Sequence, residues 1–231
     1  MRLLLAENYQ GQDVTGWYAS EKLDGVRAIW DGKKLTTKSG REIHAPEWFT
    51  LTLPSTSLDG ELWMGRGTLE DVAAMVRRKK PIDAEWQRVR YCVFDLPSMN
   101  GSVVWNTFVL ANFIAPTWRR VEIISQYQIT DMAMMHKMYH EITNNGGEGI
   151  MLRQSNPDRA DTLLKLKARK HSEGICIAKN AETIALEWRG VQFNLTTKKA
   201  EIGDRVTFSY RGTTSKGIPR EAGFAAVRDY E

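Results

Sequence analysis

Lys22-Leu23-Asp24-Gly25-Val26-Arg27 sets a lysine beside an Asp-Gly step, with an arginine five residues beyond it. A lysine is a nucleophile only without its proton. With an ordinary pKa near ~10.4, losing that proton at pH 7 costs about 4.6 kcal/mol. Nearby cations or desolvation lower the cost. Taken alone, the hexamer is balanced between such a nucleophile and a plain hairpin. Asp-Gly is a strong two-residue turn signal, and Lys and Arg are ordinary on exposed strands.

Other segments shift that balance. Asp59-Gly60-Glu61 brings an acid to a strand pattern, and Glu148-Gly149 leads from a glycine pair into a strand. Lys165 and Lys167 stand two apart in Lys165-Leu166-Lys167, which puts them on one face of a strand. Singly, each reads as surface charge, and Phe94 on its apolar strand reads as core. Together they suit one chemistry. Two cations brought near Lys22 would favour its neutral form and bind phosphate. Carboxylates at Glu61 and Glu148 could hold a divalent metal, with Mg²⁺ the natural partner of phosphates. Phe94 could stack on a nucleobase. A lysine nucleophile, a metal and phosphate-binding cations describe nucleotidyl transfer through a lysine-nucleotide intermediate.

Positioning these groups falls to a mixed set of elements. Residues 17–30 read as strand ending at the Asp31-Gly32 turn, with 33–37 returning. Leu58 to Met64 reads as a strand whose Gly60 marks a close approach of backbone or ligand. A helix opens at Thr68 as its cap, with Leu69, Val72, Ala73 and Val76 on one face, and ends at the basic run Arg77–Lys80 before Pro81. Arg88 to Leu96 reads as a strand, residues 103–118 as a helix and 121–129 as a strand. Asp131 to Thr143 reads as a helix with Met134, Met135, Met138 and Ile142 inward, a core stripe and not a metal site. Glu148–Arg153 and Thr162–Ala168 read as strands around an Asn156-Pro157 loop. Beyond Arg169-Lys170-His171-Ser172 come short strands near 174–179, 183–189, 191–196, 204–210 and 223–228, the rhythm of a small barrel or sandwich.

Composition permits this reading without forcing it. The 231 residues are 42% hydrophobic and 26% charged, ordinary for a globular chain, with a net charge of +4. Residues 171–231 contribute nine basic and eight acidic side chains, so no basic tail carries the charge. A surface for nucleic acid would have to arise by folding. Cys92 and Cys176 are too few and too far apart for a zinc site or a disulfide framework. No stretch approaches the length of a membrane span, and the Met1–Ala6 run is too short for a signal peptide. The expected compartment is therefore cytoplasmic by default, or periplasmic if a leader has been removed.

The ordered series Lys-Leu-Asp-Gly-Val-Arg (22–27), Asp-Gly-Glu (59–61), Tyr-Cys-Val-Phe-Asp (91–95), Gly-Glu-Gly-Ile-Met-Leu-Arg (147–153) and Leu-Leu-Lys-Leu-Lys (163–167) resembles the covalent nucleotidyltransferases. These are the ATP-dependent DNA ligases, RNA ligases and mRNA capping enzymes. The stretch Ser20 to Asp31 and the short chain look most like the minimal bacterial or phage ATP-dependent DNA ligases. The resemblance implies an α+β nucleotidyltransferase domain of ATP-grasp-like antiparallel sheets with helices over residues 1–170. A small all-β OB-fold domain would follow over 171–231. It implies ATP, Mg²⁺ or Mn²⁺, and nicked double-stranded DNA as partner of a monomer.

Residue by residue, Lys22 looks like the acceptor of AMP and Arg27 the contact to the nick 5′-phosphate or the nucleotide. Glu61 looks like the ribose or metal contact, Phe94 the adenine-stacking ring and Glu148 a metal-site acid. Lys165 and Lys167 look like the α-phosphate pair. Two places depart from the pattern. Lys38, in Thr37-Lys38-Ser39-Gly40, stands where relatives carry an arginine. Ser20 occupies the position where many carry a glutamate that specifies adenine, with Glu21 adjacent, and the resemblance implies that Ser20, Glu21 and Lys38 contact the nucleotide. Arg220 and Arg228 resemble the family's C-terminal contacts to pyrophosphate or DNA. Only 21 residues precede Lys22. No added DNA-binding or nicotinamide-recognising domain is therefore expected, and the two domains would grip DNA by closing about residues 168–172. The rival readings are an RNA ligase, a GTP-using capping-type enzyme, and a non-catalytic OB-fold nucleic-acid-binding protein.

Overall fold

A computed structural model of the chain describes residues 3–51, 53–97, 120–154 and 162–228. The Asp24-Gly25 step in it is not a hairpin. After β1 (Glu7–Asn8), β2 (Tyr18–Glu21) runs in one sheet, and the chain then leaves through Lys22–Gly25 to enter β3 (Val26–Trp30) in a second sheet. The close approach explains the glycine. A Cβ on Gly25 would lie 2.4 Å from the Leu62 carbonyl oxygen and 2.8 Å from Glu61 Cγ. The true hairpin comes at Asp31–Lys34, where Asp31 Oδ1 accepts from the Lys33 and Lys34 amides at 2.8 Å each.

The chain continues through β4 (Leu35–Thr37), β5 (Glu42–Ile43), α1 (Glu47–Thr50), β6 (Leu58–Trp63), α2 (Leu69–Val76), α3 (Asp83–Trp86) and β7 (Arg90–Asp95). It then forms β8 (Val121–Ile123), β9 (Tyr127–Gln128), α4 (Met132–Asn144), β10 (Gly149–Arg153) and β11 (Leu163–Lys167). One sheet has the order β1-β11-β10-β2-β9 and the other β5-β4-β3-β6-β7-β8. The single strand expected over 121–129 is thus two strands in different sheets. β8 pairs parallel with β7, and β9 pairs antiparallel with β2. Among the described residues the chain therefore crosses between the sheets twice, at 22–25 and at 124–126.

Each sheet has its own core. The six-stranded sheet buries Trp30, Leu58, Leu62 and Tyr91 against Phe49 of α1, Val72 and Met75 of α2 and Trp86 of α3. The five-stranded sheet packs Ala19, Ile150 and Leu152 against Met135 of α4. Of the methionine stripe, Met135 is fully buried, while Met138 and Ile142 are partly covered against the same core. Asp131 caps α4 by accepting the Met134 amide at 2.8 Å. Thr68 does not cap α2. Its hydroxyl donates instead to the Gly65 carbonyl at 2.7 Å. The helix expected over 103–118 and the Asn156-Pro157 loop lie outside the described residues.

The chain divides into two compact units after Leu166. The second contains β12 (Lys170–Lys179), β13 (Thr183–Trp188), β14 (Val191–Thr196), β15 (Arg205–Tyr210), β16 (Gly212–Thr213), β17 (Pro219–Arg220) and β18 (Gly223–Val227). β12 to β15 and β18 form an antiparallel sheet of order β14-β13-β12-β15-β18, and β16 and β17 form a separate ribbon. Trp188, Phe193, Phe208 and Tyr210 fill its core in edge-on and tilted ring contacts. The first strand starts at Lys170, earlier than the sequence pattern showed, because the alternation there is broken by polar residues.

Gly60 illustrates the packing between β6 and β7. A Cβ there would meet the Cys92 carbonyl oxygen and Tyr91 Cε2 at 2.7 Å each. Tyr91 is itself fixed by donating to the Ala28 and Leu58 carbonyls at 2.9 and 3.2 Å. Gly60→Ala is therefore expected to destabilise the protein by about 1–3 kcal/mol through overpacking. A lowered urea midpoint at unchanged slope would show it, and an unaltered midpoint would contradict it.

Candidate active site

The crossing at 22–25 leaves Lys22 at the end of β2. Its amide donates to the Gly149 carbonyl at 2.9 Å, which carries the β2–β10 pairing one residue further. Its Nζ lies 2.6 Å from Glu148 Oε2, with the lysine side chain 20% and the glutamate side chain 9% exposed. Glu148 follows the tight turn that ends α4, where Gly146 has φ +81°. A Cβ on the next residue, Gly147, would lie 2.5 Å from Ile142 Cγ2.

Glu61 of β6 faces the same group. It pairs across the ladder with Arg27 of β3. Burial pushes its carboxyl from an ordinary 4.5 up to about 8. Lys22, Arg27 and the Gly25 amide pull the other way, and the charge of Glu148 adds to the upward push. A carboxyl whose charge is so poorly offset invites a cation. Among the described residues no group of three or more His, Cys, Asp or Glu could hold a metal. The pair Glu61 and Glu148 nonetheless fits Mg²⁺. That ion is usually held by one or two carboxylates together with substrate phosphates, not by an all-protein cage.

Arg27 is less free than a phosphate contact would suggest. Its Nε and Nη2 reach Asp59 Oδ1 and Oδ2 at 2.9 and 2.5 Å, and Nη1 donates to the Leu4 carbonyl at 2.9 Å. The guanidinium also lies 5.6 Å from the centre of the Phe94 ring, which is partly exposed and not core. Asp59 is buried, and burial pushes its carboxyl up while Arg27 opposes that push. Asp95, also buried, lies opposite Asp59 at the bulge between β6 and β7. Arg153 of β10 stands 3.9 Å from Asp95 and joins the two sheets. Asp59, Asp95 and Arg153 carry no role that their types and spacing announce. The available signal was charge on strands that are otherwise apolar.

The remaining candidates are dispersed. Ser20 is buried in β2. Glu21 Oε1 accepts from Arg66 Nε and Nη2 at 3.1 and 2.8 Å. Lys38 is exposed after β4 and lines a groove with Gly25, Val26 and Arg27. Lys165 donates to the Ala6 carbonyl at 3.0 Å. Lys167 opens the second unit, 3.8 Å from Glu221. In that unit Arg220 lies on β17, paired with Gly212, and Arg228 donates to Thr207 Oγ1 at 2.8 Å and meets Glu173 at 3.0 Å. Arg66 went unnoticed in the sequence because it sits in a loop without periodic pattern.

A cavity of about 570 Å³ opens beside the crossing, lined among others by Glu21, Leu23, Trp63, Cys92, Met138 and Ile142. Burial raises the Cys92 thiol to about 12, so this lining residue is an inert thiol. No helix among the described residues is long and apolar enough to cross a membrane.

Two sheets joined at a lysine-bearing crossing, with acids from both beside the amine, define a nucleotidyltransferase fold. No family model matches the chain. A DNA ligase of Haemophilus influenzae is 31% identical over 95% of this chain and 90% of that protein. A structure from work on Lig E DNA ligases superimposes with a TM-score of 0.86 at 33% identity, covering 98% of both chains. The Chlorella virus DNA ligase-adenylate shares the fold at a TM-score of 0.61 and 19% identity over 99% of both chains. The chain belongs to the DNA ligase family.

The Glu61 carboxyl gives a pH signature. Folded, it keeps its proton to about pH 8, whereas unfolded it loses it near 4.5. The folded state therefore binds more protons across that window. The stability Glu61 contributes is full below pH 4.5 and lost as pH rises through 8. Urea unfolding in steps from about pH 5 to 8.5 is expected to show this decline in the native chain and a flatter profile in Glu61→Gln. Parallel profiles would contradict the assignment.

Proposed function

We propose that the protein is an ATP-dependent DNA ligase that seals nicks in duplex DNA, acting as a monomer. The observation that carries this reading is the placement of Lys22 Nζ against Glu148, with Glu61 beside them. In the first step the Lys22 amine attacks the α-phosphorus of ATP. An N–P bond forms, the bond to the β-phosphate oxygen breaks, and pyrophosphate leaves. The amine must release a proton, and Glu148 Oε2 is within reach to take it. In the second step an oxygen of the 5′-phosphate at the nick attacks the same phosphorus and returns the amine. In the third, the 3′-hydroxyl attacks the activated 5′-phosphate, closes the phosphodiester and releases AMP.

The other residues take supporting parts. Glu61 and Glu148 would hold Mg²⁺, which when bound offsets charge on the phosphates. The cavity lined by Leu23, Trp63 and Cys92 would receive the base, with Phe94 on the same face of β7 as Cys92. Lys38 beside Arg27 suits the nick phosphate, and Lys165 and Lys167 suit the α-phosphate. Held by Asp59, Arg27 would present a fixed guanidinium edge. The second unit reads as an OB-fold, a platform suited to nucleic acid, and Arg220 and Arg228 would be its contacts to DNA or pyrophosphate.

Incubation with α-labelled ATP, GTP or NAD and Mg²⁺ tests the reading. Label from ATP, absent in Lys22→Ala, is expected. Label from GTP would point to a capping-type enzyme, and none with any nucleotide would point to a non-catalytic binding protein. Nicked DNA is expected to be sealed in preference to nicked RNA, and sealing is expected to fall steeply between about 50 and 200 mM salt, because phosphate contacts dominate affinity. A flat salt profile would contradict a grip made through phosphates.

A further inference from the structure

We infer that Arg66 is a positioning residue for the chemistry at Lys22. It acts as a latch that ties together, with one guanidinium, the two segments that carry Lys22 and Glu148. The inference rests on the proposed role of Lys22 as nucleotide acceptor. Arg66 sits in the loop leaving β6, between Gly65 and Gly67, whose φ angles are +120° and +78°. The Thr68 hydroxyl, donating to the Gly65 carbonyl, closes that loop. Arg66 thus starts from the six-stranded sheet and reaches into the other.

Its three hydrogen bonds go to two separate segments. Nε and Nη2 grip Glu21 Oε1, on the residue before Lys22. Nη1 donates to the Asn145 carbonyl at 2.8 Å, three residues before Glu148. That carbonyl lies just past the last turn of α4, where backbone acceptors lack helical partners. Glu21 is also pressed against the same turn. A Cβ on Gly147 would lie 3.0 Å from Glu21 Oε1. The backbone bond from the Lys22 amide to the Gly149 carbonyl closes the far side. The amine and its carboxylate are therefore carried on two segments tied on either side, and Arg66 supplies one of the ties.

A half-exposed ion pair adds little to stability. The effect of this one is in geometry, where displacement of a reacting group by about 1 Å can cost about 10²-fold in rate. It also accounts for Glu21, whose Oε1 is committed to Arg66.

The test is single-turnover transfer of label from α-labelled ATP to the protein across a range of ATP concentrations. Arg66→Met is expected to lower the maximal rate by about tenfold to a hundredfold while half-saturating ATP changes by less than about twofold. Arg66→Lys is expected to recover part of the rate, and Glu21→Gln, which keeps the shape and drops the charge, to lose most of it. Sealing of a nick that already carries the adenylate is expected to stay near the native rate in Arg66→Met and Arg66→Lys. An unchanged labelling rate in Arg66→Met, or in Glu21→Gln should the methionine variant fail to fold, would overturn the inference. So would a change confined to half-saturating ATP, or an equal loss in sealing the adenylated nick. If the native chain itself took no label, the role of Lys22 would fail first, which separates the two claims.

Discussion

An ammonium 2.6 Å from a carboxylate is the contact on which the proposed chemistry depends. To attack phosphorus, Lys22 needs its lone pair, so it must give up both a proton and an ion pair. Neither Lys22 nor Glu148 is placed by its own strand alone. Lys22 follows β2, Glu148 precedes β10, and the backbone bond between Lys22 and Gly149 keeps the ends together. The antiparallel β2–β10 register is therefore also the register of the reacting pair.

The second constraint is charge in a poorly solvated place. Glu61, Asp59 and Asp95 come from neighbouring strands of the six-stranded sheet, and burial drives Glu61 and Asp59 toward the neutral form. Arg27 answers Asp59 with a two-pronged contact, and Arg153 approaches Asp95 from the other sheet. Buried charges are tolerated when paired and strongly destabilising when one partner is removed. Arg27 and Arg153 accordingly join sheet architecture to site architecture. Glu61 is the acid this arrangement leaves with the least compensation, which suits a group that meets a cation arriving with phosphates.

Much of the candidate site was legible because its residues carry their chemistry in their type. A lysine, two acids and a ring in ordered motifs pointed to nucleotidyl transfer, and Lys22, Glu61, Glu148 and Arg27 do gather. The fold was legible where period and turn agreed, as in β6, β7, α4 and the strands after Lys170. It was not legible at the crossings. Asp24-Gly25 has the composition of a hairpin, yet Gly25 serves a close pass over β6. Residues 121–129 have the composition of one strand, yet they divide between two sheets. Local signals report backbone preference, and they do not report which sheet the next strand joins. The Arg66–Glu21 contact spans 45 positions and was invisible for the same reason.

Mapping the site of modification tests the central claim most directly. The protein would be incubated with ATP and Mg²⁺, cleaved into peptides, and analysed by mass spectrometry for an added AMP. One modified peptide is expected, with AMP on the Lys22 side-chain nitrogen through an acid-labile N–P bond. AMP on a different residue, or no adduct on a protein that still seals nicks, would contradict it.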